Sequence, residues 1–166
     1  MSTRTNIIIK GGKFSVILYR HYDGYPAETG AHLLETLRAC GLTGDLSRRH
    51  PDDCAASFVN RLLRTHCADS FGSGGVRFEY EVTTELHGDI EHLYRVEFTN
   101  GGRLVLAHTE IPIGHAEEDE SVIVGRLSKY SIPEFASMVN RERDGINGRM
   151  RARGMPESDA LQPVLV

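Results

Sequence analysis

Short runs of alternating hydrophobic and polar residues recur along the chain, and this alternation is typical of strands that bury one face of a sheet. Residues 6–9 and 14–19 are the first two apolar runs, and a Lys-Gly-Gly-Lys segment separates them. Because glycine accepts the positive φ angle of a tight turn, the two runs predict an N-terminal β-hairpin.

A second β region lies past the middle of the chain. Residues 76–86, 90–99 and 103–111 alternate in the same way, and the short segments His-Gly-Asp and Asn-Gly-Gly join them. These three segments predict an antiparallel meander, with an Asn-Gly hairpin turn between the last two. Residues 121–127 predict one more short strand.

Hydrophobic residues spaced three and four apart predict three helices. The first two cover residues 26–41 and 51–66. The third begins after Ser131, whose spacing to Glu134 is that of a capping box, and its periodicity fades beyond Gly145. The elements together predict an α+β fold, in which about three helices cover one face of an antiparallel sheet of about five strands.

The composition is that of one compact domain. The 166 residues are 40% hydrophobic and 25% charged, which is ordinary for a globular protein that needs no disulfide or metal to fold. We expect a single domain over residues 1–154 and an extended or flexible tail over 155–166. The three cysteines form no CxxC pair, so reduced thiols are expected. No apolar run is long enough to cross a bilayer, and the expected location is cytoplasmic.

The net charge of −4 gives no general attraction to nucleic acid. A basic stretch over residues 141–154 and an acidic one over 115–120 are interpreted as solvated surface or loop. Nucleic-acid binding through the arginines of the basic stretch is the weakest of three functional hypotheses, because the chain is acidic overall. The arginines concerned are Arg141, Arg143, Arg149, Arg151 and Arg153.

The segment Tyr-Arg-His-Tyr-Asp-Gly-Tyr-Pro at residues 19–26 is the first candidate site. Strand alternation would put His21 and Asp23 on one side of the sheet and Arg20 on the other. A histidine and an aspartate on one face can hydrogen-bond or contact a ligand. The alternative is structural: Asp23 forms a turn and caps the next helix, and His21 and Tyr25 pack over it.

The second candidate site is the segment over residues 87–96, which carries His87, Asp89, His92 and Tyr94. Its composition resembles a set of metal ligands, but no zinc-binding spacing is present, and neither a metal nor a cofactor is expected. The alternative is a two-residue turn with exposed strand residues around it. The two segments could meet across a shared sheet edge.

The two segments would support one of two chemistries if they meet. A histidine oriented by an aspartate could act as general base in hydrolysis, with Arg20 or Arg95 holding an anion. Alternatively, arginine and tyrosine side chains could clamp an anionic or aromatic ligand without reaction. The candidate binding residues are Arg20, His21, Asp23, Tyr25, His87, Asp89, His92 and Tyr94. No catalytic residue is assigned.

Both segments resemble a group of small bacterial and phage or prophage proteins. Their members carry YRHxDGYP near the N-terminus and an HGDIEYLYxV-like segment past the middle, which stand in this chain as residues 19–26 and 87–96. His92 departs from the usual tyrosine. The resemblance implies an accessory protein of a mobile element and does not imply a reaction.

The leading hypothesis is therefore a non-enzymatic binding protein, such as an anti-CRISPR-like inhibitor of a bacterial defence system. Its expected partner is a bacterial host protein or a small anionic ligand, and a homodimer through an open sheet edge is compatible with the fold. The alternative is a small hydrolase or phosphodiesterase built on His21, Asp23, His87 and Asp89.

Overall fold

The computed structural model describes residues 3–69, 76–112, 120–156 and 160–165. Among these residues, no helix has the length and apolar character of a membrane span. The strands are β1 (Thr5–Gly11), β2 (Phe14–Arg20), β3 (Cys67–Asp69), β4 (Val76–Phe78), β5 (Glu81–Thr83), β6 (His92–Phe98), β7 (Leu104–Glu110) and β8 (Ser128–Tyr130). The helices are a π-helical turn (Pro26–Gly30), α1 (Ala31–Ala39), α2 (Pro51–Thr65), α3 (Glu120–Gly125) and α4 (Ile132–Ala152).

The described strands form a six-stranded mixed sheet, in the order β5-β2-β1-β6-β7-β8, and a small β3-β4 hairpin. Within the large sheet, β1 and β6 are parallel, and every other pair is antiparallel. The predicted α+β fold is confirmed, as are the N-terminal hairpin and the hairpin between β6 and β7.

The centre of the sheet differs from the expected arrangement. The segment over residues 76–86 divides into β4 and β5, and β5 pairs with β2 instead of joining β6. β1 occupies the place beside β6, because its residues from Thr5 to Ile9 are buried on both faces. A strand with consecutive apolar residues suits the centre of a sheet that is covered on both sides.

The two faces of the sheet have separate apolar cores. On the three-helix face, Ile7, Ile9 and Leu18 pack against α1, α2 and α4. On the opposite face, Ile8 and Leu93 pack with Ile123 of α3, and we call this the α3 face.

Two segments adopt helices that the sequence pattern did not predict. Residues 120–125 form α3 and not part of the expected strand, because a helix places Ile123 on the apolar α3 face. The basic stretch is also largely helical, since α4 continues to Ala152. Arg143 within it is buried and donates from Nε to the Ala27 carbonyl at 2.7 Å.

Residues 160–165 lie along α4 and are held by two asparagine side chains. Asn147 accepts from Leu161 N at 2.8 Å and donates to Leu161 O at 2.9 Å. Asn140 makes the same pair of bonds with Val164, at 2.8 and 3.1 Å. Because the Val164 side chain is also buried, the chain end contributes to the core of the three-helix face.

We predict that Asn147→Ala increases local opening of the backbone at Leu161. A lost hydrogen bond of this kind costs about 0.5–1.5 kcal/mol of unfolding free energy. Amide hydrogen exchange should therefore show reduced protection at Leu161, whereas Val164 keeps its bond to Asn140. Asn60→Ala on the exposed surface of α2 is the control. Unchanged exchange at Leu161 in Asn147→Ala would contradict the role of this side chain.

Candidate functional site

The two sequence segments meet on the α3 face around Tyr19. The Tyr19 hydroxyl lies 3.0 Å from His21 Nδ1, and the His87 ring stacks on the Tyr19 ring with centroids 3.9 Å apart. Arg4 Nη1 and Asp89 Oδ2 form an ion pair of 2.6 Å. We call these five residues the Tyr19 cluster.

The outer side chains of the Tyr19 cluster reach solvent. His87 and Asp89 are exposed, and His21 is half-buried. Tyr22 extends the ring surface, since its ring contacts the His21 ring edge-on with centroids 4.4 Å apart and is 49% exposed. The surface that results is aromatic in character and accessible to another molecule.

The pKa of the Tyr19 hydroxyl is raised, so this group is a neutral hydrogen-bonding group at neutral pH. Burial is the largest cause, followed by the carboxylate of Asp89. The Arg4 guanidinium acts in the opposite direction, and Glu81 again raises the pKa. At the Tyr19 hydroxyl, the two carboxylates therefore outweigh the Arg4 guanidinium.

A tight turn follows β2 and separates the predicted residues Asp23 and Tyr25 from the Tyr19 cluster. Asp23 has a positive φ of 56°, which aspartate tolerates better than most residues. The pKa of the Tyr25 hydroxyl is raised to about 12, first by burial and then by the neighbouring Asp23 carboxylate. The Asp23 carboxylate thus lies beside the Tyr25 hydroxyl.

Arg20 points to the three-helix face, opposite to Tyr19. Its side chain is only 7% exposed and donates from Nη1 to Asp23 O at 3.0 Å and to Thr29 Oγ1 at 2.9 Å. Nη2 pairs with Glu79 Oε2 at 3.1 Å, and the guanidinium lies over the Tyr80 ring at 5.3 Å. A buried arginine with this many partners is held in one position.

Arg20 also belongs to a second polar group, which we call the imidazole pocket. This group consists of Arg20, His32, His66, Glu79 and Tyr80. The His32 and His66 rings stack with centroids 3.6 Å apart, and His32 Nδ1 lies 2.8 Å from the Tyr80 hydroxyl. Glu79 Oε2 lies 3.8 Å from His32 Nδ1. One ligand atom from each of His32, His66 and Glu79 falls within 4.8 Å of the other two.

Both histidines of the imidazole pocket are neutral. Burial is the main cause that lowers the pKa of His32 to about 2, and the neighbouring His66 and Arg20 add to it. Burial and then Arg20 lower the pKa of His66 to about 4. Burial raises the pKa of the Tyr80 hydroxyl, which therefore stays protonated.

The predicted residues His92 and Tyr94 lie in the protein interior. His92 Nδ1 is 3.0 Å from His108 Nε2, and the Tyr94 hydroxyl donates to Gly24 O at 2.9 Å. Burial lowers the pKa of both histidines, and His108 reaches about 3 because the neighbouring His92 adds to the effect. One neutral imidazole must therefore donate to the other.

The structure thus distributes the eight candidate residues over different environments. His21, His87 and Asp89 belong to the Tyr19 cluster, and Arg20 belongs to the imidazole pocket. Sequence reasoning missed His32, His66 and Glu79, which come from α1, the end of α2 and the residue after β4. Their spacing matches no motif, and the one available signal was His32 between buried positions of a predicted helix.

Comparisons of the chain with protein-family models, with curated proteins and with solved structures found no match.

We predict that the buried His92–His108 pair makes the protein less stable in acid. The unfolded chain protonates a histidine near pH 6.5, whereas the folded chain keeps His108 neutral down to about pH 3. Unfolding free energy should therefore fall as pH drops below 6.5, by up to about 1.4 kcal/mol per pH unit for each such histidine. Urea titrations between pH 7 and 5 measure this slope.

His108→Gln keeps a polar group near His92 but removes one titrating group. Its unfolding free energy should therefore change less per pH unit than that of the wild type. Glu110 near His92 and the raised pKa values of Glu28 and Glu142 act in both proteins, and the difference between the slopes isolates His108. His50→Gln, at a side chain that is 65% exposed, should behave like the wild type. Equal slopes in all three proteins would contradict the prediction.

Proposed function

We propose that this protein is a non-enzymatic binding protein and that the Tyr19 cluster is its contact surface. The observation that carries the proposal is the packing of two histidines on one tyrosine, His87 on its ring and His21 on its hydroxyl. The His87 and His21 rings are held against the buried Tyr19 side chain and still reach solvent. Rigid aromatic side chains at a surface are typical anchors of protein interfaces.

The charges around the cluster favour a basic group on the partner. Asp89 and Glu81 both raise the pKa of Tyr19, and Arg4 alone opposes them. The exposed tyrosine ring of this surface is Tyr22. A cation over such a ring gains about 0.5–1 kcal/mol at an exposed site. An arginine or lysine side chain of a protein partner therefore fits this surface better than the small anionic ligand expected from the sequence.

The contacts of the carboxylates also favour binding over hydrolysis. In the triad arrangement, a carboxylate orients the histidine that acts as general base. Here Asp89 pairs with Arg4, Asp23 lies beside the Tyr25 hydroxyl, and His21 Nδ1 faces Tyr19. The hydrolase stays a prediction from sequence, and so does the anti-defence role, whose support is the resemblance of two segments.

The charge preference can be tested with two small probes. We expect N-acetyl-arginine amide at millimolar concentration to shift the NMR signals of Tyr19, His21 and His87, whereas N-acetyl-aspartate amide should not. The physical reason is that two carboxylates outweigh the Arg4 guanidinium at the Tyr19 hydroxyl. In His87→Ala the shifts should decrease at least about threefold, because the stacked ring is lost. His50→Ala, at an exposed histidine outside the cluster, is the matched control.

A protein partner can be sought with the same variants. Proteins captured from a bacterial lysate by the wild type and by His50→Ala, but lost with His87→Ala, would support the cluster as the interface. Capture that is identical for all three proteins, or an acidic probe that shifts the cluster signals more than the arginine probe, would overturn the proposal.

A further inference from the structure

We propose that His32, His66 and Glu79 bind a divalent transition-metal ion of the Zn²⁺ type in the imidazole pocket. One ligand atom from each of the three side chains lies within 4.8 Å of the other two. Ligand atoms around a tetrahedral zinc ion lie about 3.3–3.6 Å apart, so the three ligand atoms must move closer together. The stacked His32 and His66 rings must also tilt apart, so that one nitrogen of each points at the same ion. This site is on the three-helix face and does not depend on the function proposed for the Tyr19 cluster.

The donor types select the class of metal. Two imidazole nitrogens and one carboxylate oxygen suit Zn²⁺ and the neighbouring first-row ions. Mg²⁺ and Ca²⁺ prefer sites made of oxygen ligands, which His32 and His66 do not offer. Three protein ligands also leave a fourth position, as in zinc sites that bind water or a substrate.

A buried nitrogen in the pocket gives independent support. Within the described part of the chain, His66 Nε2 is shielded from solvent and has no hydrogen-bond partner. A buried polar atom without a partner costs about 1–3 kcal/mol, and native proteins contain few of them. Since His66 shares the pocket with His32 and Glu79, a metal ion bound there would give this nitrogen a partner.

Two contacts position parts of the site without the ion. The Glu79 amide donates to the His66 carbonyl at 3.1 Å, which keeps the backbone of these two residues together. The Tyr80 hydroxyl, 2.8 Å from His32 Nδ1, orients the His32 ring. Such outer contacts are what metal-binding histidines need in order to keep one ring orientation.

The charged groups around the site include some that favour a divalent cation and some that oppose it. Arg20 lies 3.1 Å from Glu79 and opposes a cation. Glu28 supplies a second carboxylate, 4.0 Å from His32 Nε2. The Arg143 guanidinium also acts on Glu28 and on His32. Two carboxylates against two guanidiniums leave no excess negative charge, so we expect binding that is weaker than in a site without arginines.

The direct test is calorimetric titration of the full chain, stripped of metal with a chelator, with Zn²⁺ and separately with Mg²⁺. We expect one Zn²⁺ per chain with a micromolar dissociation constant, a higher melting temperature with Zn²⁺, and no binding of Mg²⁺. His66→Ala and Glu79→Gln should each weaken Zn²⁺ binding more than about tenfold, because each removes a ligand.

His50→Ala is the matched control for zinc held by exposed histidines and should bind Zn²⁺ like the wild type. Glu79→Gln keeps the shape of the side chain, and circular dichroism verifies that both ligand variants are folded. No Zn²⁺ binding to the wild type at millimolar concentration would overturn the proposal. Binding that persists unchanged in folded His66→Ala and Glu79→Gln would also overturn it, because the ion would then lie elsewhere.

Discussion

The parallel pairing of β1 with β6 is the constraint on which the rest of the structure depends. Its register places Thr5 opposite His92, at the end of the sheet where β2 finishes and β6 begins. The two polar segments of the sequence, which are about seventy residues apart, flank these strand ends and so become neighbours. Arg4, just before β1, and Asp89, just before β6, pair directly across this junction.

The pleat of β2 then divides the chemistry between the two faces. Tyr19 points to the α3 face and carries His21 and His87, whereas the next residue, Arg20, points to the three-helix face and borders the imidazole pocket. The end of β2 thus supplies one side chain to the Tyr19 cluster and one to the imidazole pocket. We propose the Tyr19 cluster for contact with another molecule and the half-buried imidazole pocket for a small ion.

Local patterns were sufficient to predict much of the fold. The glycine turns between β1 and β2 and between β6 and β7, the helical spacing of leucines and the capping box of Ser131 and Glu134 act over a few residues, and these features are confirmed. Strand order depends on contacts between distant residues, so the parallel pairing and the place of β5 could not be derived from periodicity. The apolar residues of α3 match a short strand as well as a helix, and only distant contacts decide between the two. The sequence pattern therefore predicted a strand there.

The candidate sites show the same division between local and distant information. The sequence suggested that His21 and His87 could share a sheet edge, because each lies beside a strand of the predicted sheet. The imidazole pocket gave no such signal, since His32, His66 and Glu79 come from three elements that packing alone brings together. Motif spacing reveals candidate ligands most readily within one element, and these three residues come from different elements.

The turn after β2 explains why the segment over residues 19–26 has its composition. Asp23 adopts a positive φ, and Gly24 lies so close to the N-terminal strand that a Cβ atom would meet Thr3 O at 2.9 Å. The carbonyls of Asp23 and Gly24 accept from the buried side chains of Arg20 and Tyr94. The turn is therefore fixed from inside, and this fixes the end of β2, which supplies Tyr19 to the Tyr19 cluster and Arg20 to the imidazole pocket.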